Sequence, residues 1–297
     1  MSFDLSRSTL APLMASPPLT LLTLAAGTAR IGGELDEETR TLMRQQVAAG
    51  VLDDLAAADG WPLLRTGLMG EHPSRMLAVL RDCGALARLL PELDALSGQG
   101  QITPDGGMID IGAHQGRVVD LLAAQDAPLP VRVAGLLYNL GKADSPPQHL
   151  PVHYKHVERC LPRIEAIVDR FGLAAEVREL ALLTARELER VHRAAPMRAA
   201  SITALLERVD AFGQTARYRQ LLLICASDFQ AYPGNAGRAY GKALLLEQAR
   251  TACLSVAVED VTDGREADPA AATALHEARA LAVAAALRSE RWADAAA

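Results

Sequence analysis

Apolar positions along this chain recur at helical spacing and almost nowhere at the strand period of two. From Leu35 to Ala49, Thr39, Leu42, Met43 and Val47 share one face, Asp36 supplies an N-cap, and Gly50 supplies a stop. A short segment spans about Leu52 to Ala58. The next, Pro73 to Cys83, gathers Met76, Val79 and Leu80 and ends at Gly84. Ala85 to Leu90 forms a helical turn before Pro91. Gln99 to Gly112 is the clear break, because its glycines and Pro104 mark a loop. Helical patterning resumes over 112–125, 130–141, 153–171, 174–193, 198–212 and 215–231. After a turn at Gly234 to Gly241 come helices at about Lys242 to Val258 and Ala270 to Trp292, separated by an acidic linker, Asp260 to Pro269. Pro162 should kink the 153–171 helix or shift its start. The 130–141 helix is apolar nearly all round up to Leu137, which predicts the buried centre of a bundle. With no strong β signal and no internal repeat, the pattern predicts an all-α helical bundle. Residues 1–34 are punctuated by Pro, Ser and Gly and read as a loose arm.

Composition agrees with this. The chain has 297 residues, half of them hydrophobic and only 4% aromatic. That is enough to bury the core of one large or two modest domains and favours helix packing over sheet. The net charge of −6 lacks the basic balance of a dedicated nucleic-acid binder and leaves room only for a local arginine-rich face. Cys83, Cys160, Cys225 and Cys253 are far apart with no Cys-x-x-Cys spacing, which suits buried free thiols in a reducing cytoplasm. The apolar stretch Leu10 to Ala26 is broken by Pro12, Pro17 and Pro18 and lacks a basic start, so it is a weak candidate for a signal peptide. No uninterrupted apolar run of about 18 residues marks a membrane span. A cytoplasmic location is the expectation.

The chemistry centres on Ala134-Gly135-Leu136-Leu137-Tyr138-Asn139-Leu140-Gly141-Lys142. This run resembles the "L-L-H-D-L-G-K" core of the HD-domain metal-dependent phosphohydrolases, with Tyr138 and Asn139 standing where His and Asp belong. In those enzymes the doublet gives a divalent metal an imidazole nitrogen and a carboxylate oxygen, and the metal acidifies a bound water. A phenol with a pKa of about 10 is a poor ligand at neutral pH. A neutral amide brings no charge and no base.

A longer resemblance begins at Arg81-Asp82-Cys83-Gly84-Ala85-Leu86-Ala87-Arg88-Leu89-Leu90-Pro91-Glu92-Leu93, with Pro73-Ser74-Arg75 before it. It continues through 134–142, Pro146-Pro147, 150–158, 179–185 and 205–212, and ends near Glu277, Arg279 and Ala280. In combination these runs resemble the bacterial multifunctional CCA-adding tRNA nucleotidyltransferases over about residues 35–290, the C-terminal part of that family. The resemblance implies a helical neck and body over 35–100, a degenerate HD-like domain over 101–232 and a helical tail over 233–297. That family also carries a nucleotidyltransferase head with a Gly-Ser motif and a metal-binding carboxylate pair. Residues 1–34 are too short for such a head and contain neither feature.

Position by position, His114 matches the family's first His. Tyr138 and Asn139 replace the doublet, Leu188 stands where many members have a further His, and Asp228 matches the late carboxylate. His153 and His156 match an "H-x-x-H-E" run. These seven form a vestigial metal pocket, expected to hold no cofactor or a divalent metal only weakly. Read without the resemblance, His114 is equally a capping histidine, His153 and His156 are surface or supporting groups, and Asp228 makes a structural hydrogen bond. Lys142 completes "L-G-K" and is a phosphate contact or a solvated charge. Arg186, Arg190 and Arg193 share a helix face, with Arg198, Arg208, Arg217 and Arg219 further on. They read either as RNA-phosphate contacts or as a solvated face balanced by Glu187 and Glu189. The expectation is a relative with little or no catalysis that binds tRNA-like RNA or a protein partner, such as a separate head-bearing nucleotidyltransferase. The alternative is a residual metal-dependent phosphohydrolase acting on phosphomonoesters or cyclic nucleotides. The sequence does not set the oligomeric state.

Overall fold

A computed structural model describes residues 16–31, 33–103, 106–262 and 268–293. It is an all-α fold: α1 (Pro17–Ile31), α2 (Glu37–Ala48), α3 (Ala57–Leu68), α4 (Pro73–Asp82), α5 (Ala85–Leu89), α6 (Pro91–Asp94), α7 (Ile111–Ala123), α8 (Leu129–Leu137), α9 (His156–Phe171), α10 (Ala175–His192), α11 (Ala199–Arg208), α12 (Thr215–Ala231), α13 (Gly241–Leu254), α14 (Val258–Thr262) and α15 (Pro269–Ala293). Short 3-10 turns lie at Leu140–Lys142 and Pro147–His149. The chain forms two compact units: residues through Ala185 together with 231–236, and residues 186–230 together with those from Gly237 onward.

Two expectations change. The loose arm predicted over 1–34 is, from Pro17, a helix whose Leu21, Leu22, Ala25, Ala26 and Ala29 are buried and which packs on α3 and α4. Pro17 and Pro18 occupy the first turn, where missing N–H groups cost nothing, so here proline begins a helix rather than breaking one. Residues 1–15 of the predicted arm lie outside the described residues. The break at 99–112 contains a hairpin, β1 (Gly100–Ile102) antiparallel to β2 (Met108–Asp110), with Gln101 opposite Ile109. Three-residue strands are too short to register as a period. Pro162 stays inside α9, whose start lies at His156.

Caps are drawn from nearby and from afar. Asp36 accepts from the Thr39 amide at 2.7 Å, and Asp110 from the Ala113 amide at 2.7 Å. α4 has no cap of its own; Asp120 on α7 supplies one, accepting from the Ser74 amide at 2.9 Å and hydroxyl at 2.5 Å.

In the first unit the centre is α8, where every residue from Val131 to Leu137 is buried. α3 and α7 pack on α8, and α4 packs on α7. In the second unit α11, α13 and α15 pack together around Leu205, Leu206, Leu246, Ala249 and Val283. Over Pro269–Leu287, α15 is long and apolar enough to cross a membrane by length and composition. Within its unit, however, its His276 and Arg279 pair with Glu207 of α11 at 2.8 and 3.4 Å. The four cysteines are buried and free.

One buried charge joins the first unit's layers. Arg132, 4% exposed, donates to the carbonyls of Ala127 at 2.7 Å, Leu68 at 3.0 Å and Gly70 at 2.7 Å. It thereby satisfies the last carbonyl of α3 and one just beyond it, and ties them to the start of α8. Replacing Arg132 with Met should destabilise the protein by about 3 kcal/mol, read from urea denaturation, because three carbonyls lose their donors. A loss under about 0.5 kcal/mol would mean that water or other donors replace the guanidinium.

Candidate functional site

α8 ends inside the protein, and a helix end leaves its last carbonyls without intrahelical partners. Here side chains from other elements supply the donors. Gln115 Nε2 donates to Gly135 O at 2.9 Å and Leu136 O at 3.0 Å. The Cys160 thiol donates to Leu137 O at 3.4 Å and Tyr138 O at 3.3 Å. Burial pushes that thiol up to about 11, so it keeps its proton. The Lys142 amide donates to Asn139 O at 2.8 Å, Arg163 to Leu140 O at 2.8 Å and Arg159 to Gly141 O at 2.9 Å. Gly141 has to be glycine, because a Cβ there would collide with the His156 carbonyl oxygen.

Tyr138 and Asn139 sit in this buried end, at 3% and 2% exposure. Asn139 Nδ2 donates to Gln115 Oε1 at 2.7 Å. The two backbone carbonyls that accept from Gln115 fix which way its amide faces, and that in turn fixes the Asn139 amide. Neutral amides thus bond to one another where the resemblance predicts a metal doublet. His114, also buried, places its ring 4.5 Å from that of Tyr232.

His153 is fully buried and both ring nitrogens are engaged. Nε2 donates to Gly100 O at 2.9 Å. Nδ1 therefore accepts from the Ser145 hydroxyl at 2.8 Å, and Ser145 accepts from Arg159 at 2.7 Å. The relay ties the hairpin to the turn before α9, whose backbone holds His153 and Lys155 in the left-handed region at φ 58 and 59. His156 Nδ1 donates to the His153 carbonyl at 3.2 Å. Lys142 is 7% exposed and donates to Gln101 Oε1 at 2.7 Å, while Gln101 Nε2 donates to Tyr232 Oη at 2.5 Å. The "L-G-K" lysine therefore lies inside the network and not on the solvated surface.

Leu188 and Asp228 belong to the second unit, and both are buried. Asp228 Oδ2 accepts from His192 Nε2 at 2.8 Å, and His192 Nδ1 accepts from the Tyr240 hydroxyl at 2.7 Å. Burial raises the Tyr240 phenol far above its ordinary pKa, and the Asp228 carboxylate nearby adds to the shift, so it remains a donor. Neither His192 nor Tyr240 is among the sequence-predicted site residues. His192 lies one helical turn beyond Leu188, and that spacing could have found it. Arg186, Arg190 and Arg193 are exposed, and Arg193 pairs with Glu189 at 2.8 Å. Among the described residues, no three His, Cys, Asp or Glu side chains are grouped to hold a metal ion.

Burial holds the His153 imidazole below its usual pKa, with the Gly100 carbonyl partly opposing the shift. The unfolded chain then takes up a proton more readily than the native one. The His153 contribution to stability is complete above the unfolded pKa of about 6.5 and is lost as pH falls through the folded value. His153→Gln should therefore flatten the acid side of the stability profile between about pH 7 and 5, read from urea midpoints. An acid limb as steep in the variant as in the parent would assign that limb to other groups.

No family model matches the chain. Its relatives include the multifunctional CCA proteins of Nitrosospira multiformis (40% identical over 245 residues, 82% of this chain and 59% of that protein) and Dechloromonas aromatica (43% over 241 residues, 80% and 58%). The multifunctional CCA protein of Aromatoleum aromaticum is 41% identical over 270 residues, 91% of this chain and 66% of that protein. The chain spans about three fifths of the length of the curated relatives it matches. Over most of its own residues, therefore, the chain is related to the multifunctional CCA proteins.

Proposed function

We propose that this chain is a binding relative of the CCA proteins, performs no metal-dependent hydrolysis at its HD-type position and takes a tRNA-like RNA as its ligand. The observation that carries the reading is the Asn139–Gln115 amide pair. An HD-type metal centre uses a carboxylate to offset the ion's charge and an imidazole with a free nitrogen. In the first unit, Asn139 presents a neutral amide already bonded to Gln115, and His153 has both nitrogens in hydrogen bonds. Such a donor set does not fit a divalent ion that must acidify water. RNA as ligand is supported by kinship with the CCA proteins and by the exposed arginines of the second unit.

The test pairs two assays on the purified chain. One is turnover of p-nitrophenyl phosphate and a cyclic nucleotide with Mg²⁺, Mn²⁺ or Ni²⁺. The other is filter binding to a tRNA transcript across a salt series. The expected result is no metal-stimulated turnover together with salt-sensitive retention of tRNA. Turnover that disappears in His114→Ala would overturn the non-catalytic half. Failure to retain tRNA at low salt, with a nucleotidyltransferase recovered by pull-down instead, would move the ligand to a protein partner.

A further inference from the structure

Of the acidic side chains in the second unit, Glu187 is buried in an unusual setting. It is 3% exposed, yet it faces two arginines that are each about half in solvent. Its Oε1 accepts from Arg190 at 3.1 Å and its Oε2 from Arg208 at 3.3 Å. The two arginines come from α10 and from the end of α11. Their side chains are 51% and 46% exposed, and each offers one terminal nitrogen to the carboxylate. The Arg190 nitrogen also donates to the Arg186 carbonyl at 2.9 Å, which fixes it further.

A carboxylate withdrawn from water is costly unless it is paired, and one arginine would suffice. Two guanidiniums on one buried carboxylate leave a net positive charge. They also leave two planar forks held in place with their remaining N–H groups toward solvent. Arg186, one turn before Arg190, is exposed and meets no carboxylate among the described residues. Arg193, by contrast, is matched by the half-exposed Glu189, an ordinary surface pair of small value. The helix face that spacing assigns to 186, 190 and 193 therefore separates into an aimed, electropositive part and a neutralised part.

We infer that Glu187 is a positioning residue that aims Arg190 and Arg208 at the phosphodiester backbone of a folded RNA. The inference rests on the RNA-binding reading above. Held guanidiniums lose less rotamer freedom on contact than free ones, and planar forks suit phosphate oxygens. Each guanidinium that meets a phosphate releases counterions, so each leaves a measurable mark on the salt dependence of binding.

The experiment measures tRNA-transcript affinity of the full chain over a salt series for the parent, Arg190→Gln, Arg208→Gln, Glu187→Gln and Arg88→Gln. Arg88 is an exposed arginine elsewhere, on α5, and serves as control. Arg190→Gln and Arg208→Gln should each flatten the log affinity against log salt plot by about one, while Arg88→Gln leaves it unchanged. Glu187→Gln adds positive charge overall, so attraction by net charge alone would tighten binding. A positioning role instead weakens binding by about threefold or more, with circular dichroism confirming the fold. If the parent binds tRNA but both arginine variants keep its slope, or Glu187→Gln binds more tightly, the inference fails while the RNA reading stands. If the parent does not bind tRNA, the reading beneath it fails and the inference goes with it.

Discussion

The first unit depends on closing a helix end that lies inside the protein. α8 is buried on every side from Val131 to Leu137 and stops where water cannot reach its carbonyls. An amide from α7, a thiol and two guanidiniums from α9, and a 3-10 turn satisfy them in order. Each donor ties a neighbouring element to the same point. The close approach of α9 then requires Gly141, which has no side chain to obstruct it. A core of this kind is specified less by its apolar contacts, which are permissive, than by polar groups that have only one satisfactory arrangement.

The Asn139–Gln115 pair belongs to that closure. Gln115 accepts from Asn139 with its oxygen because its nitrogen is already donating to Gly135 and Leu136. An amide at 139 fits this partner, whereas a carboxylate there would set two acceptors against each other in a buried place. The same position that would carry charge in an HD-type centre thus carries a neutral structural bond. Lys142 follows the same logic, with Gln101 as the acceptor that draws its ammonium inside. In the second unit Asp228 is oriented by His192, itself oriented by Tyr240.

The helices were largely legible because their apolar residues repeat at 3.6, and the burial of 130–141 followed from an apolar surface on all sides. The motif frame around Tyr138 and Asn139 was legible too. What spacing could not give were partners distant in sequence: Gln115 for Asn139, Gln101 for Lys142 and Asp120 for the start of α4. The helix from Pro17 was hidden because proline reads as a breaker unless its place in the first turn is known. The arginine face was visible as a pattern. That Glu187 is buried beneath it, and is not a solvated counter-charge, depends on tertiary burial that helical spacing does not encode.

In the proposed reading, a neutral amide lock stands where an HD-type centre would hold a charged metal doublet. The stability of Asn139→Asp, measured by urea denaturation from pH 4 to 8 with and without Mn²⁺, tests it most directly. A protonated carboxyl at position 139 can still donate to Gln115, but an ionised one faces an acceptor, so burial raises its folded pKa above the unfolded value of about 3.9. Stability should be nearest the parent's at low pH and fall as pH rises from the unfolded value through the folded one, reaching a deficit of about 2 kcal/mol at pH 8 that Mn²⁺ does not restore. A variant as stable as the parent at pH 8, or one that Mn²⁺ stabilises, would contradict the account.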